Sequence, residues 1–66
     1  MAELEDILYR VQGPYFTAGL VLRMGLVYGA APILRYMLGW PLAQAEEYVR
    51  RRGWSIDIVE KRQRPP

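Results

Sequence analysis

The most conspicuous chemical feature of this 66-residue chain is a run of three arginines, Arg50, Arg51 and Arg52. A second basic group lies further along the chain and consists of Lys61, Arg62 and Arg64. The planar guanidinium of arginine suits recognition of phosphate and carboxylate groups. If both groups contacted phosphates, the chain would be a nucleic-acid-binding accessory protein whose affinity falls as salt rises.

The arginine run also has a purely structural interpretation. Glu46 precedes Arg50 by four residues and Glu47 precedes Arg51 by four, which is the favourable order for ion pairs along a helix. Cations in the last turn of a helix also complement its dipole. We favour a solvated helix end and leave anion binding open. The two basic groups fall at opposite ends of a predicted helix–strand pair, so they need not form one patch.

Residues suited to catalysis or metal binding are scarce. The chain has no histidine and no cysteine, which removes the usual general base, the most reactive nucleophile and the ligands of a structural zinc site. The carboxylates Asp57 and Glu60 are better explained as the polar face of a strand. The sequence therefore predicts no enzyme, no catalytic residues, no metal and no cofactor.

Size and composition predict a partner. Chains of this length bury only about 60% of the surface that their unfolded form exposes, and they usually need a disulfide, a metal or another subunit. Without cysteine, and with 52% hydrophobic residues, a homo-oligomer or a larger protein partner is the expected support. The acidic N-terminus predicts a cytoplasmic location. Arg23, Pro32 and Arg35 interrupt the apolar region 15–40 and exclude a membrane span.

The first half of the chain predicts a helix followed by a hairpin. Residues 3–12 place Leu4, Ile7, Leu8 and Val11 at helical spacing, and Gly13 and Pro14 end the helix. Residues 15–30 alternate as a β-hairpin with Phe16, Ala18, Leu20 and Leu22 on one face. Methionine disfavours positive φ, so we expect a type I turn at residues 23–25 closed by Gly25.

The second half predicts two short helices and a strand. Pro32 and Gly39 bound the first helix, Pro41 and Gly53 bound the second, and residues 54–60 alternate as a strand. The predicted fold class is α+β, a three-stranded antiparallel sheet packed by helices in the order α-β-β-α-α-β. Residues 1–60 form one domain and residues 61–66 a flexible basic tail. Residues 32–53 could form a DNA-binding helix-turn-helix, but Arg35 and two glutamates disfavour it against an ordinary helical hairpin.

The Gly-Trp-Pro corner between the two predicted helices is the expected partner surface. Tryptophan and arginine are enriched among the residues that dominate binding energy in protein interfaces. We therefore assign partner binding to Arg35, Tyr36 and Trp40.

The segments AAPILRYMLGW and EYVRRRGWSI resemble parts of small uncharacterised proteins encoded by bacteriophage and bacterial genomes. The resemblance covers residues 15–60 and implies a compact accessory protein from a mobile element. The leading hypothesis is a non-enzymatic modulator that acts through a protein–protein surface, as a homodimer. The alternative is a nucleic-acid-binding accessory protein. Whether the N-terminal helix packs on its own sheet or on another subunit is left open.

Overall fold

The computed structural model describes residues 5–63, which build a four-stranded antiparallel sheet with a helical layer on one face. The strands are β1 (Glu5–Gln12), β2 (Thr17–Arg23), β3 (Leu26–Ala30) and β4 (Ser55–Gln63), in the spatial order β3-β2-β1-β4. A 3₁₀ helix (Pro32–Met37) and one α-helix, α1 (Leu42–Arg51), connect β3 to β4. The predicted three-stranded sheet with order α-β-β-α-α-β is therefore wrong, because the first element is a fourth strand.

β1 replaces the predicted N-terminal helix and is a central strand, paired with β2 on one side and β4 on the other. Its apolar residues fit both periodicities, since Ile7, Tyr9 and Val11 also alternate. Tyr9 and Val11 are buried beneath the helical layer, whereas Leu8 lies on the opposite, open face of the sheet beside Val21. Pairing with a strand on each side makes this segment a strand and not a helix. β-branched and aromatic residues also suit such a strand. Residues 3 and 4 of the predicted helix lie outside the described residues.

The hairpin of β2 and β3 is confirmed, but its turn differs from the prediction. Arg23 pairs with Leu26, so the loop has two residues, Met24 and Gly25. Both have positive φ, +56° and +80°, which is the pattern of a type I′ turn. The twist of the two strands favours this turn despite the unfavourable conformation of methionine.

Replacing Met24 by asparagine should stabilise the protein. Asparagine tolerates positive φ far better than methionine, and the side chain of Met24 is 78% exposed, so little packing is lost. We expect Met24→Asn to raise the free energy of unfolding by about 0.5 to 1 kcal/mol, measured by urea denaturation. Met24→Lys, which keeps a long unbranched side chain, should give no such gain. An Asn variant no more stable than the Lys variant would contradict the turn assignment.

The chain after β3 closes the outer edge of that strand. The helix predicted between Pro32 and Gly39 is a short 3₁₀ helix, and Gly39 ends the segment with φ of +87°. The backbone then runs back along β3: the N–H of Gly39 donates to the carbonyl of Val27, and the N–H of Val27 donates to that of Trp40, both at 2.8 Å. The Leu42 N–H donates to the Gly25 carbonyl at 2.9 Å. Residues 39–42 thus occupy hydrogen-bonding positions that an edge strand would otherwise expose.

Helix α1 ends as the sequence predicts. Gly53 has φ of +76° and its N–H donates to the Arg50 carbonyl at 3.0 Å, while the Trp54 N–H donates to the Val49 carbonyl at 3.0 Å. These two bonds form a Schellman motif, in which glycine alone adopts the left-handed conformation without a steric cost. The motif turns the chain directly into β4 and fixes Trp54 next to the end of the helix.

One apolar core lies between the sheet and the helical layer. Its buried members are Tyr9, Val11, Ala18, Leu20, Leu22, Val27, Leu34, Met37, Ala45 and Val49. Phe16, Trp40, Tyr48, Trp54 and Ile56 are half-buried against it. No polar side chain of the described residues is buried, so the core gains its stability from apolar burial and close packing.

β4 extends beyond its predicted end. Lys61 pairs with Ile7 and Arg62 with Asp6, so residues 61–63 belong to the sheet, and the rest of the predicted tail, including Arg64, lies outside the described residues. The register shifts once, because Tyr9 pairs with Ile58 and Leu8 with Glu60. Val59 is therefore the extra residue of a β-bulge. A second bulge lies in β3, where Gly29 pairs with Val21 and Val27 pairs with Leu22, so that Tyr28 is the extra residue.

Candidate protein-binding surface

Five aromatic rings from three parts of the chain form a continuous row along one side of the helical layer. The row runs in the order Phe16, Trp54, Tyr48, Trp40, Tyr36. Successive ring centroids are 4.8, 6.0, 5.4 and 5.9 Å apart, and every pair meets edge to face. Edge-to-face pairs at these distances are favourable beyond simple burial. The turn before β2, the segment from the 3₁₀ helix to the corner at Trp40, α1 and the Schellman turn therefore hold these rings in a fixed arrangement.

Arg52 lies over this row. Its guanidinium carbon is 4.9 Å from the centroid of the Tyr48 ring and 5.8 Å from that of Trp54. Stacking over aromatic faces is favourable for arginine and leaves its N–H groups free to donate at their edge. Arg52 is thus part of an aromatic arrangement and does more than complement the helix end.

A shallow groove runs beside the same rings on α1. Trp40, Gln44, Glu47, Tyr48 and Arg51 line it, and Arg51 donates to the carboxylate of Glu47 at 3.2 Å. We call Tyr36, Trp40, Tyr48, Arg51 and Arg52 the aromatic surface. Tyr36 is 45% exposed although two rings pack against it. The surface therefore combines rigid aromatic groups with charged donors at its edge.

The two tyrosines of the aromatic surface have opposite pKa shifts. Partial burial, together with hydrogen bonding to Tyr48, raises the pKa of Tyr36 to about 12. Hydrogen bonding from Tyr36, with a further contribution from the nearby Arg52 charge, lowers the pKa of Tyr48 below its ordinary value. Tyr36 therefore keeps its proton and donates it toward the Tyr48 oxygen.

The raised pKa of Tyr36 predicts a loss of stability in strong alkali. Its folded-state value exceeds the ordinary 10.0, so its contribution is complete below pH 10 and is lost as the pH rises through about 12. The pKa of Tyr48 is shifted in the opposite direction, so Tyr48 ionises before Tyr36. A titration of tyrosinate absorbance should show that Tyr36→Phe moves the earliest transition to higher pH. An unchanged first transition in Tyr36→Phe would show that the two phenols do not interact.

The structure brings together two of the three residues that the sequence assigns to partner binding. Tyr36 and Trp40 are in ring contact. Arg35 is exposed next to Tyr36, but its side chain has no ion pair or ring contact within residues 5–63. Tyr48 was missed and Arg52 was assigned only to the alternative of phosphate contacts, although their spacing of four residues on a predicted helix already places them together.

The two basic groups proposed for phosphate contacts are far apart. Arg50, Arg51 and Arg52 end α1 next to the start of β4, while Lys61 and Arg62 lie six and seven residues along that strand, about 20 Å away at the rise of a β-strand. Lys61 pairs with Ile7 on the helical face and Arg62 with Asp6 on the open face, so even these two neighbours point to opposite sides.

Arginines on the open face of the sheet are matched by carboxylates. Arg10 pairs with Asp57 at 2.8 Å, Arg23 with Asp6 at 2.9 Å and Arg62 with Glu60 at 3.2 Å. Arg23 also lies 3.7 Å from the ring centroid of Tyr28. Because positive and negative groups alternate, this face presents no continuous positive field to a phosphate backbone.

Among the described residues, no group of three or more acidic side chains is arranged to hold a metal ion. None of the described helices is long and apolar enough to cross a membrane. Three cavities in this part of the chain lie at the sheet surface or beside α1. Within residues 5–63, the aromatic surface is therefore the most developed candidate site.

Comparison with known proteins gave no match: no protein-family model, no curated protein and no solved structure is significantly similar to this chain.

Proposed function

We propose that the chain is a non-enzymatic binding module that acts on another protein through the aromatic surface. The observation that supports this most strongly is the convergence of Tyr36, Trp40 and Tyr48 from the 3₁₀ helix, the corner after it and α1, with Arg52 stacked on Tyr48. Rigid tyrosine, tryptophan and arginine side chains at a half-exposed position are the typical composition of an interface hot spot. They lose little conformational entropy on binding because their neighbours already fix them.

The proposal places this binding in the cytoplasm. The resemblance of residues 15–60 to small phage and bacterial proteins suggests a mobile genetic element as its source, and modulation of a larger host or phage protein as its role. A compact module that carries one rigid surface suits such a role, since it binds without needing chemistry of its own.

Nucleic-acid binding is the second candidate and rests on the concentration of arginine at the end of α1. Three observations favour the protein partner instead. The basic groups are separated, Arg51 and Arg62 already have carboxylate partners, and the C-terminal end of a helix dipole repels anions. A phosphate-binding surface would need these arginines to act as one group.

Two neighbouring arginines offer a matched test. Arg51 lines the groove of the aromatic surface, whereas Arg50 is two positions from Tyr48 and so projects from the other side of α1. Both lie in the last turn, so Arg51→Glu and Arg50→Glu lose the same dipole interaction. With the immobilised protein and an extract of its own cells, we expect a specific set of proteins to bind the wild type and Arg50→Glu but not Arg51→Glu.

The same pair of variants separates the two candidate functions. Phosphate binding predicts that both substitutions weaken binding of mixed-sequence duplex DNA about equally and reduce its salt dependence. Equal loss in both variants, with steep salt dependence, would contradict the protein-binding proposal. Retention of the same proteins by Arg51→Glu would contradict it as well.

A further inference from the structure

The two outer strands of the described sheet differ in what covers their edges. Residues 39–42 hydrogen-bond along the outer edge of β3. The nine-residue strand β4 pairs with β1 alone, and no described segment lies along its other side. Ile58 and Val59, in the middle of β4, are 47% and 52% exposed. An open edge of this length is a template for another strand.

Charge is distributed unevenly along β4. Asp57 is the one charged residue of its first half, whereas Glu60, Lys61 and Arg62 follow one another near its end. A second copy of β4 paired in parallel would place like charges side by side. A copy paired antiparallel can place Asp57 of each strand against Arg62 of the other. Charged residues usually protect an edge from pairing. In β4, however, antiparallel pairing of two copies can bring opposite charges together.

The β-bulge at Val59 sets the register of such a pair. Asp57 and Arg62 are five residues apart and would lie on opposite faces of a regular strand. Because Val59 is an extra residue, both lie on the open face, opposite Arg10 and Asp6 of β1. Ile58 and Lys61 likewise share the helical face, opposite Tyr9 and Ile7. Directly paired residues of antiparallel strands must point to the same face, and pairing Asp57 with Arg62 of a second copy meets this condition.

We infer that two copies of the chain associate through β4, antiparallel about a two-fold axis, with each Asp57 opposite Arg62 of the other copy. The two sheets then join into one of eight strands. Each Arg62 lies between its own Glu60 and the other copy's Asp57, and each Asp57 between its own Arg10 and the other copy's Arg62. In this register Ile58 of each copy lies opposite Lys61 of the other, and Val59 and Glu60 lie next to the axis. This assembly uses a surface separate from the aromatic surface and does not depend on the proposed function.

Charge reversal tests the register, because it predicts both a loss of the dimer in single variants and its restoration in a mixture of two variants. In a dimer of Asp57→Arg, the new arginine of each copy lies opposite Arg62 of the other copy. In a dimer of Arg62→Asp, the new aspartate of each copy lies opposite Asp57 of the other copy. We expect sedimentation equilibrium to show a wild-type dimer and an at least tenfold weaker dimer for either variant. An equimolar mixture restores attraction at both positions, so it should dimerise like the wild type. The within-chain ion pairs that these changes break are exposed and contribute little to folding.

Three results would overturn the inference: a wild-type monomer at the highest soluble concentration, single variants that dimerise normally, or a mixture that stays monomeric. Dissociation by Trp40→Ala with both β4 variants unaffected would assign self-association to the aromatic surface, which also overturns it. If a charge variant fails to fold, oxidation of Val59→Cys gives an independent test, because the chain has no other cysteine. A disulfide-linked dimer is expected at position 59 and not at position 24, and its absence at 59 would contradict the pairing.

Discussion

Leu20→Ala should remove a large share of the stability of this protein, about half of it. Leu20 is fully buried at the centre of β2, among the largest side chains of the core. Truncating a buried leucine costs about 2 to 5 kcal/mol because it removes apolar contacts and leaves a cavity. A domain of this length has a total stability of only about 3 to 10 kcal/mol. We therefore expect the variant to lose about 2 to 5 kcal/mol of its free energy of unfolding, measured by urea denaturation followed by circular dichroism.

Leu38→Ala is the matched control for this prediction. Leu38 is 49% exposed, just beyond the 3₁₀ helix, and the same truncation there should change the free energy of unfolding by less than about 1 kcal/mol. If both leucines gave equal losses, the core would not lie between the sheet and the helical layer as described.

Trp40→Ala should abolish most of the partner affinity of the aromatic surface. Trp40 contacts both Tyr36 and Tyr48, so its removal deletes one anchor and frees its two neighbours to move. Interface anchors of this type contribute about 2 kcal/mol or more, which corresponds to roughly a 30-fold rise in Kd. The measurement is a calorimetric titration of Trp40→Ala with the partner protein, identified as one that binds the wild type but not Arg51→Glu.

Tyr15→Ala provides the control for Trp40→Ala. Tyr15 is 96% exposed and belongs to the turn between β1 and β2, outside the aromatic surface. Its loss removes an exposed aromatic ring and should leave Kd unchanged. Since Trp40 also packs against the core, the circular dichroism of Trp40→Ala must first match that of the wild type. A folded Trp40→Ala with unaltered Kd would contradict the role given to this residue.

The sequence was most informative where local chemistry decides the structure. Gly53 ends α1 as predicted, the segment 15–30 forms a hairpin, and the alternation after Trp54 forms β4. Each of these depends on residues close together in the chain. The ion pair between Glu47 and Arg51 is likewise confirmed, while Glu46 and Arg50 form no ion pair among those of residues 5–63.

The errors lie where distant contacts decide the structure. Ile7, Leu8 and Val11 satisfy a helical pattern, but β2 and β4 supply hydrogen-bonding partners on both sides of this segment. Met24 adopts a positive φ because the two strands impose a two-residue turn. The aromatic surface was only partly predicted, because the contacts of Tyr48 with Tyr36 and Trp40 join residues that do not share a local pattern.

Site-specific photocrosslinking gives the most direct test of the proposed aromatic surface. A benzophenone amino acid replaces Tyr36, which is 45% exposed within that surface, or Tyr15 as the control, and the cells are irradiated. We predict a discrete covalent adduct between the chain and a larger protein from position 36 and none from position 15. No adduct at position 36, or the same adduct from both positions, would contradict binding through the aromatic surface.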